Sequence, residues 1–388
     1  MPVRVGFVNG GILGLLSYAT WLRRTFADDR EIHAEHFVLT EDLSLRERLV
    51  RRALCARVWP DRLGARNLDL ARYRSERNSG HQARRRLLAR GLDHFDVLHF
   101  HRQATAYGAL DLMERLPSIV SVDCTQTCVL QDATSPLERW SLGFNVRRDG
   151  EILKRAAAIV ATSRWAERDI RRLYPDCRAT VHVLPNPVDL DAFAPSWADE
   201  RNRTSAERRP QCLFMGGDFP RKGGFDLLSA WEAGGFAGRA DLTLVTEWPL
   251  GALPRGVRQQ RGIRGQTPEW IQTWRDADLF VMPTRNEAFG LVYQEAAAAG
   301  VPAIGTRINA VPEIIDDGVT GLLVDRGDAA GLTHALDRLI ASAELRDRLG
   351  RNARRKIERD ANPDVHRRQL VNLIMQLASI QQGAVRHG

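Results

Sequence analysis

Short apolar runs alternate with stretches of helical periodicity along the whole chain. In the first half the apolar runs fall at residues 3–8, 36–39, 97–100, 119–122, 158–161 and 181–184. In the second half they fall at 212–215, 242–246, 279–282, 303–305 and 321–324. Apolar positions three and four apart predict helices at 224–232, 269–275, 291–299, 329–341 and 345–359. Apolar strands separated by helices are the mark of βαβ units and a parallel sheet. A last segment, 363–380, reads as an amphipathic helix, with Val365, Leu370, Leu373, Ile374 and Leu377 on or near one face.

The alternation is interrupted once. Pro185-Asn186-Pro187 stops the sixth run, and 196–210 is polar and charged, as a linker is. The reading is therefore α/β with two tandem Rossmann-like, doubly wound domains. These are 1–188, a linker at 189–210, a second domain at 211–362, and a terminal helix at 363–388 expected to return to the first domain. Ligands of such sheets lie outside the carboxyl ends of the strands, so two facing sheets predict a cleft that holds two substrates. Between the second and third runs, about 45–92 form an unusually long insert of two or more helices.

With 388 residues the chain suits two domains, and 44% apolar with 27% charged residues is ordinary for a globular protein. No stretch approaches the roughly 20 apolar residues of a membrane span, and the start reads as a strand, without a leader pattern. The expected location is the cytoplasm, extending to the inner face of the membrane. Five cysteines, Cys55, Cys124, Cys128, Cys177 and Cys212, complete no zinc pattern and read as free thiols. The net charge of +8 is concentrated in arginines between 46 and 90. Such a face suits nucleic acid, anionic lipid or phosphorylated ligands, or is simply solvated.

The most informative stretch runs from Asn286 to Pro302. A strand leads into a loop carrying Glu287, and the loop into an Ala-rich helix that holds Glu295 and closes at Gly300. Free amides at Phe289, Gly290, Leu291 and Val292 would crown the helix, a ready site for a diphosphate. A carboxylate offers several acceptor positions, so Glu295 suits the two hydroxyls of a ribose and Glu287 those of a sugar.

These residues resemble the Glu-(seven residues)-Glu motif of the family 4 retaining glycosyltransferases, which have the GT-B fold. Further segments match in order and spacing: Gly216-Gly217-Asp218-Phe219-Pro220-Arg221-Lys222-Gly223-Gly224, Val311-Pro312-Glu313-Ile314-Ile315, Ala161-Thr162-Ser163-Arg164-Trp165 and Val183-Leu184-Pro185-Asn186-Pro187. The resemblance implies transfer of a hexose-type sugar from a nucleotide-sugar donor to a saccharide, lipid-linked or small-molecule acceptor. It implies Lys222 on the donor diphosphate with Arg221 beside it, because Asp218 stands where the family has an arginine. Gly217 and Arg264 join the donor site, as do Gly11 and Gly14 of the loop after the first strand. Asp123 stands where the family has a histidine facing the transferred sugar. The catalytic candidates are thus Asp123, Lys222, Arg221 and Glu287, and His99 and His101 are acceptor candidates. In the family the leaving phosphate is thought to take the acceptor proton.

Retaining hydrolases need carboxyls about 5–5.5 Å apart, whereas eight positions of helix separate them by roughly 12 Å. Asp189-Leu190-Asp191 matches the metal motif of the GT-A fold but sits at the linker and reads as a cap, so neither metal nor cofactor is expected. An epimerase or phosphorylase on the same fold remains an alternative, although nothing resembles a pyridoxal-phosphate lysine site. So does a basic nucleic-acid or membrane-surface binding protein. Aromatics interleaved with the basic residues of the insert are lacking, with Trp59 and Tyr73 isolated, so no nucleic acid is expected. The insert is read as acceptor-side surface that also touches anionic lipid.

Overall fold

The computed structural model describes residues 2–10, 13–41, 43–55, 70–133, 135–193 and 208–387. Gly11, Trp59 and the 196–207 part of the linker lie outside them. The chain divides into two compact units, Met1–Pro185 with Asp364–Gly388, and Asn186–Pro363.

The first unit is built on six parallel strands: β1 (Val3–Asn9), β2 (Ile32–Val38), β3 (Val97–His101), β4 (Ser118–Val122), β5 (Ala158–Ala161) and β6 (Thr180–Val183). Their order is β2-β1-β3-β4-β5-β6, so the winding reverses between β1 and β3. β3, β4 and β5 are buried at every position, as strands covered on both faces must be. One face carries the helices Leu70–Arg90, Pro136–Arg155 and Arg164–Leu173, through Leu87, Ile152, Leu153 and Ile170. The other carries Leu13–Thr25 and the terminal helix Pro363–His387, whose Leu370, Leu373, Ile374 and Leu377 pack with Val5, Phe7 and Ile119.

The second unit repeats the plan with β7 (Gln211–Met215), β8 (Asp241–Val245), β9 (Val257–Gln260), β10 (Leu279–Val281), β11 (Ala303–Thr306) and β12 (Gly321–Val324). The order is β9-β8-β7-β10-β11-β12, all parallel, so the reversal falls between β7 and β10. The helices start where short polar side chains meet free amides. Ser135 accepts from the Glu138 N–H at 3.1 Å, with Pro136 following, and Thr267 accepts from the Trp270 N–H at 3.3 Å, with Pro268 following.

Two strands differ from the apolar pattern, both at sheet edges. β2 begins at Ile32, before the run at 36–39, because its exposed His33 and half-buried Glu35 hide the strand from a hydrophobic reading. β9, Val-Arg-Gln-Gln, was not anticipated. Only one of its residues is apolar, because an edge strand has less to bury.

Imidazoles are packed at the end of the first sheet near its reversal. His101 stacks on Tyr18 with ring centroids 4.2 Å apart. The Tyr18 hydroxyl lies 3.1 Å from His366 Nε2, and His366 Nδ1 lies 2.9 Å from the Pro185 carbonyl. Burial pushes His101 down to about 3 and His366 to about 4. The unfolded chain protonates such imidazoles near pH ~6.5 while the folded one keeps them neutral. Stability is therefore complete above that pH and falls as the pH drops from it toward 4, at about 1.4 kcal/mol per pH unit for each such proton. Urea melts at pH 7.5, 6 and 5 should show this decline, and His101→Phe, which keeps a ring on Tyr18, should flatten it by one proton. An unchanged slope in that variant would contradict the account.

Candidate functional site

The reversal between β7 and β10 puts two loops side by side at the carboxyl ends of the strands, where doubly wound sheets take their ligands. The first, 216–223, follows β7. The second, 282–290, follows β10 and runs into the helix Leu291–Ala298. They are bonded to each other through the Arg221 carbonyl, which accepts from the Arg285 N–H at 2.8 Å and the Thr284 hydroxyl at 3.2 Å. Gly223 is the hinge of the first loop. Its φ is +76°, and a Cβ there would lie 1.9 Å from the Pro283 carbonyl oxygen. Only glycine allows both the left-handed turn and the contact.

Lys222 is carried across to the second loop and ion-pairs with Glu287, both side chains largely buried. The other Glu287 oxygen accepts from the Ala288 N–H at 3.1 Å, and the Glu287 carbonyl accepts from Asn309 Nδ2 at 2.8 Å. Arg221 is clasped by Asp218, Nε to Oδ2 3.0 Å, and donates to the Asn286 carbonyl at 2.8 Å. Asp218, the departure from the family pattern, is therefore the residue that holds Arg221. Asn309, with φ +46°, was not singled out in the sequence; an asparagine after a strand is too common a signal.

The helix beyond is set by two contacts. Gly290 has φ +94°, and the Tyr293 hydroxyl donates to the Met282 carbonyl at 2.6 Å, tying the first turn back to the strand end. Among the described residues, no acceptor meets the N–H groups of Phe289, Gly290, Leu291 and Val292. Partial positive charge is thus concentrated at that tip. One turn further, the half-buried Glu295 carboxyl has no hydrogen-bond or ionic partner among the described residues, and burial pushes it up to about 8. The arrangement offers a cation and free amides for a diphosphate, and unpaired acceptor oxygens for hydroxyls. Gly217 is open on its side-chain side and Arg264 is exposed in the loop after β9.

In the first unit, Asp123 follows β4, half-exposed, with Oδ1 accepting the Cys124 N–H at 2.9 Å. His99 and His101 are buried within β3, with His99 Nε2 2.7 Å from Ser121 Oγ. They belong to the packed sheet and present no ring to solvent. Gly14 lies in the first helix. Among the described residues, one cluster of metal-ligand type, His33, Glu35 and His94, lies at the β2 edge, where Arg90 already pairs with Glu35 at 2.7 Å.

The model of the glycosyl transferases group 1 matches residues 252–356, and that of glycosyltransferase family 4 matches 31–192. A D-inositol 3-phosphate glycosyltransferase of Xylanimonas cellulosilytica is 30% identical over 284 residues, 67% of each chain. Among solved structures, the sucrose-phosphate synthase of Thermosynechococcus elongatus superposes with a TM-score of 0.75 at 18% identity, covering 97% of this chain and 100% of that one. The Anabaena protein HepE, in complex with UDP-glucose, gives 0.66 at 14% identity over 96% of this chain and 99% of its own.

An unpaired carboxyl held above its ordinary range by burial weakens the folded protein once it ionises. The unfolded chain ionises it near ~4.3, whereas the folded one holds its proton to about 8, so stability falls as the pH rises through that window. Glu295→Gln should therefore melt at or above the wild-type temperature at pH 8 in differential scanning fluorimetry, while losing stabilisation by nucleotide sugars. A lower melting temperature with ligand response intact would show that Glu295 is structural.

Proposed function

The chain belongs to the family 4 glycosyltransferases of the GT-B fold, and from that premise we propose that it transfers a hexose from a nucleoside diphosphate sugar with retention of anomeric configuration. The observation that supports this reading most directly is the helix tip at 289–292, whose N–H groups meet no acceptor among the described residues, together with Lys222 paired to Glu287 of the preceding loop and Glu295, partnerless among the described residues, one turn on. The diphosphate accepts the free amides and the Lys222 ammonium. Glu295 receives the ribose hydroxyls, which donate into oxygens left empty in the free protein. Glu287, released from Lys222 as the phosphate takes over the cation, turns its oxygens to the hydroxyls of the transferred sugar.

As the glycosidic bond breaks, negative charge grows on the diphosphate and positive charge on the anomeric carbon. Fixed donors aimed at the first are the main source of acceleration in such reactions. Asp123, at the end of β4 in the first unit, takes an acceptor hydroxyl. The leaving phosphate takes the acceptor proton, so substitution occurs on one face without a protein nucleophile. The acceptor is a saccharide or polyol, in keeping with the inositol phosphate in the name of the Xylanimonas relative.

A UDP, GDP, dTDP and ADP sugar series read by thermal shift should identify one stabilising donor. Lys222→Ala should abolish that shift and lower turnover roughly 10²-fold or more, with an α-configured product from an α-configured donor by NMR. An inverted product, or full donor response in both Lys222→Ala and Glu295→Ala, would refute the assignment.

A second contact is supported by the helix Leu45–Cys55. It starts with a reciprocal cap, the Ser44 hydroxyl accepting the Glu47 N–H at 3.2 Å and Glu47 accepting the Ser44 N–H at 2.8 Å. Outward it shows Leu45, Leu49 and Val50, among Arg46, Arg48 and Arg52. Exposed leucines set among arginines suit an anionic membrane surface. Vesicles containing phosphatidylglycerol should sediment the protein at low salt and release it at high salt. Leu49→Glu should cut that binding several-fold, and indifference to lipid charge would remove the idea.

A further inference from the structure

The outer edge of the first sheet gathers two imidazoles and a carboxylate at one point. His33 and Glu35 lie two apart on the edge strand β2, so both project from the same face of the sheet. His94 comes to them from the turn Leu92–His94, just after the helix Leu70–Arg90. That turn is braced. Leu92 and Phe95 are buried, the His94 N–H donates to the Gly91 carbonyl at 3.1 Å, and the Asp96 N–H donates to the Arg4 carbonyl at 2.8 Å. The His94 ring stands edge-on to Phe95 and to His33, with centroids 5.5 and 6.4 Å away. One ligand-type atom from each of the three side chains lies within 4.8 Å of the others.

The contacts at this point conflict with one another. Arg90 Nε and Nη2 donate to Glu35 Oε1 at 2.8 and 2.7 Å. His94 Nε2 lies 2.7 Å from the same carboxylate oxygen and 3.2 Å from Arg90 Nη2. A carboxylate only accepts and a guanidinium only donates, while a ring nitrogen does one or the other. Whether or not that nitrogen carries a proton, one of its two contacts is unmet. A metal ion removes the conflict, because both imidazoles and the carboxylate then act as electron-pair donors to it. Zinc bonds of about 2.0–2.2 Å put tetrahedral neighbours roughly 3.3 Å apart. The spacing here, from 2.7 Å to at most 4.8 Å, spans that value, so side-chain rotation closes the set. Arg90 is the last residue of its helix and half its side chain is exposed, so the guanidinium can swing into water. Two imidazoles with one carboxylate suit zinc and its neighbours, whereas magnesium and calcium take oxygen ligands.

We propose that His33, Glu35 and His94 bind a divalent transition-metal cation of the zinc type, which takes the place of the Arg90 guanidinium and clamps β2 to the foot of the basic insert. Three protein ligands leave a fourth position for water. The site uses none of the donor-binding groups, so it stands or falls apart from the glycosyltransferase reading.

The untagged full chain, stripped with EDTA and dialysed, is titrated with zinc chloride and with magnesium chloride by calorimetry, with melting temperature followed in parallel. Zinc should bind one-to-one and raise the melting temperature saturably, and magnesium should do neither. His33→Ala, which removes an exposed side chain, and His94→Gln should each weaken zinc binding roughly tenfold or more. Arg90→Gln should tighten it several-fold, because the competing cation is gone. A plain surface ion pair predicts no such gain. The proposal is overturned if the wild type takes up no zinc saturably, or if His33→Ala and His94→Gln bind zinc as the wild type does. It is equally overturned if Arg90→Gln leaves zinc affinity unchanged or lower, or if magnesium acts as zinc does. Circular dichroism of the metal-free variants that matches wild type assigns lost binding to the missing ligand, and His33→Ala carries the test if His94→Gln does not fold.

Discussion

The second unit turns on a single carbonyl oxygen. Arg221 O receives the Arg285 N–H and the Thr284 hydroxyl, and so joins the loop after β7 to the loop after β10. Everything of chemical interest there hangs on that junction. It brings Lys222 to Glu287, lets Gly223 press against Pro283, and fixes where the helix Leu291–Ala298 begins. The junction exists only because the strand order reverses between β7 and β10, making two sequence-distant strands neighbours. A different strand order would leave the same residues on unrelated edges.

Around the second unit's helix start, several polar groups lack partners among the described residues. Burying a carboxylate with no partner costs stability, as do amides without acceptors at a helix start. In this chain both occur within one turn of each other, at Glu295 and at 289–292. Lys222 is the opposite case, since Glu287 neutralises it.

The first unit follows the same logic with different chemistry. Its reversal point, between β1 and β3, is closed on one side by stacked neutral rings, with the terminal helix anchored there through His366. Beside this packed corner the chain tolerates a backbone strain at Arg102 that any glycine would remove. Packing and strain lie one residue apart, at His101 and Arg102. The rigid corner is what makes the strained residue affordable.

Much of this was legible in the order of residues. Apolar runs of strand length, spaced by helical segments, dictate parallel sheets, because such strands can be buried only when helices cover both faces. The helix start at 289–292 read as a diphosphate site from its free amides, whereas Lys222 and the glycines of the β7 loop entered only through the family resemblance. What the linear order could not carry were the edges and the partners. β9 and the start of β2 lack a hydrophobic signal because an edge strand buries little. His99 and His101 read as acceptor candidates, but both lie buried within β3. Asn309 on Glu287, Asp218 on Arg221 and His94 on Glu35 are relations between residues far apart in the chain or shaped by a local turn, and folding alone decides which polar groups find partners.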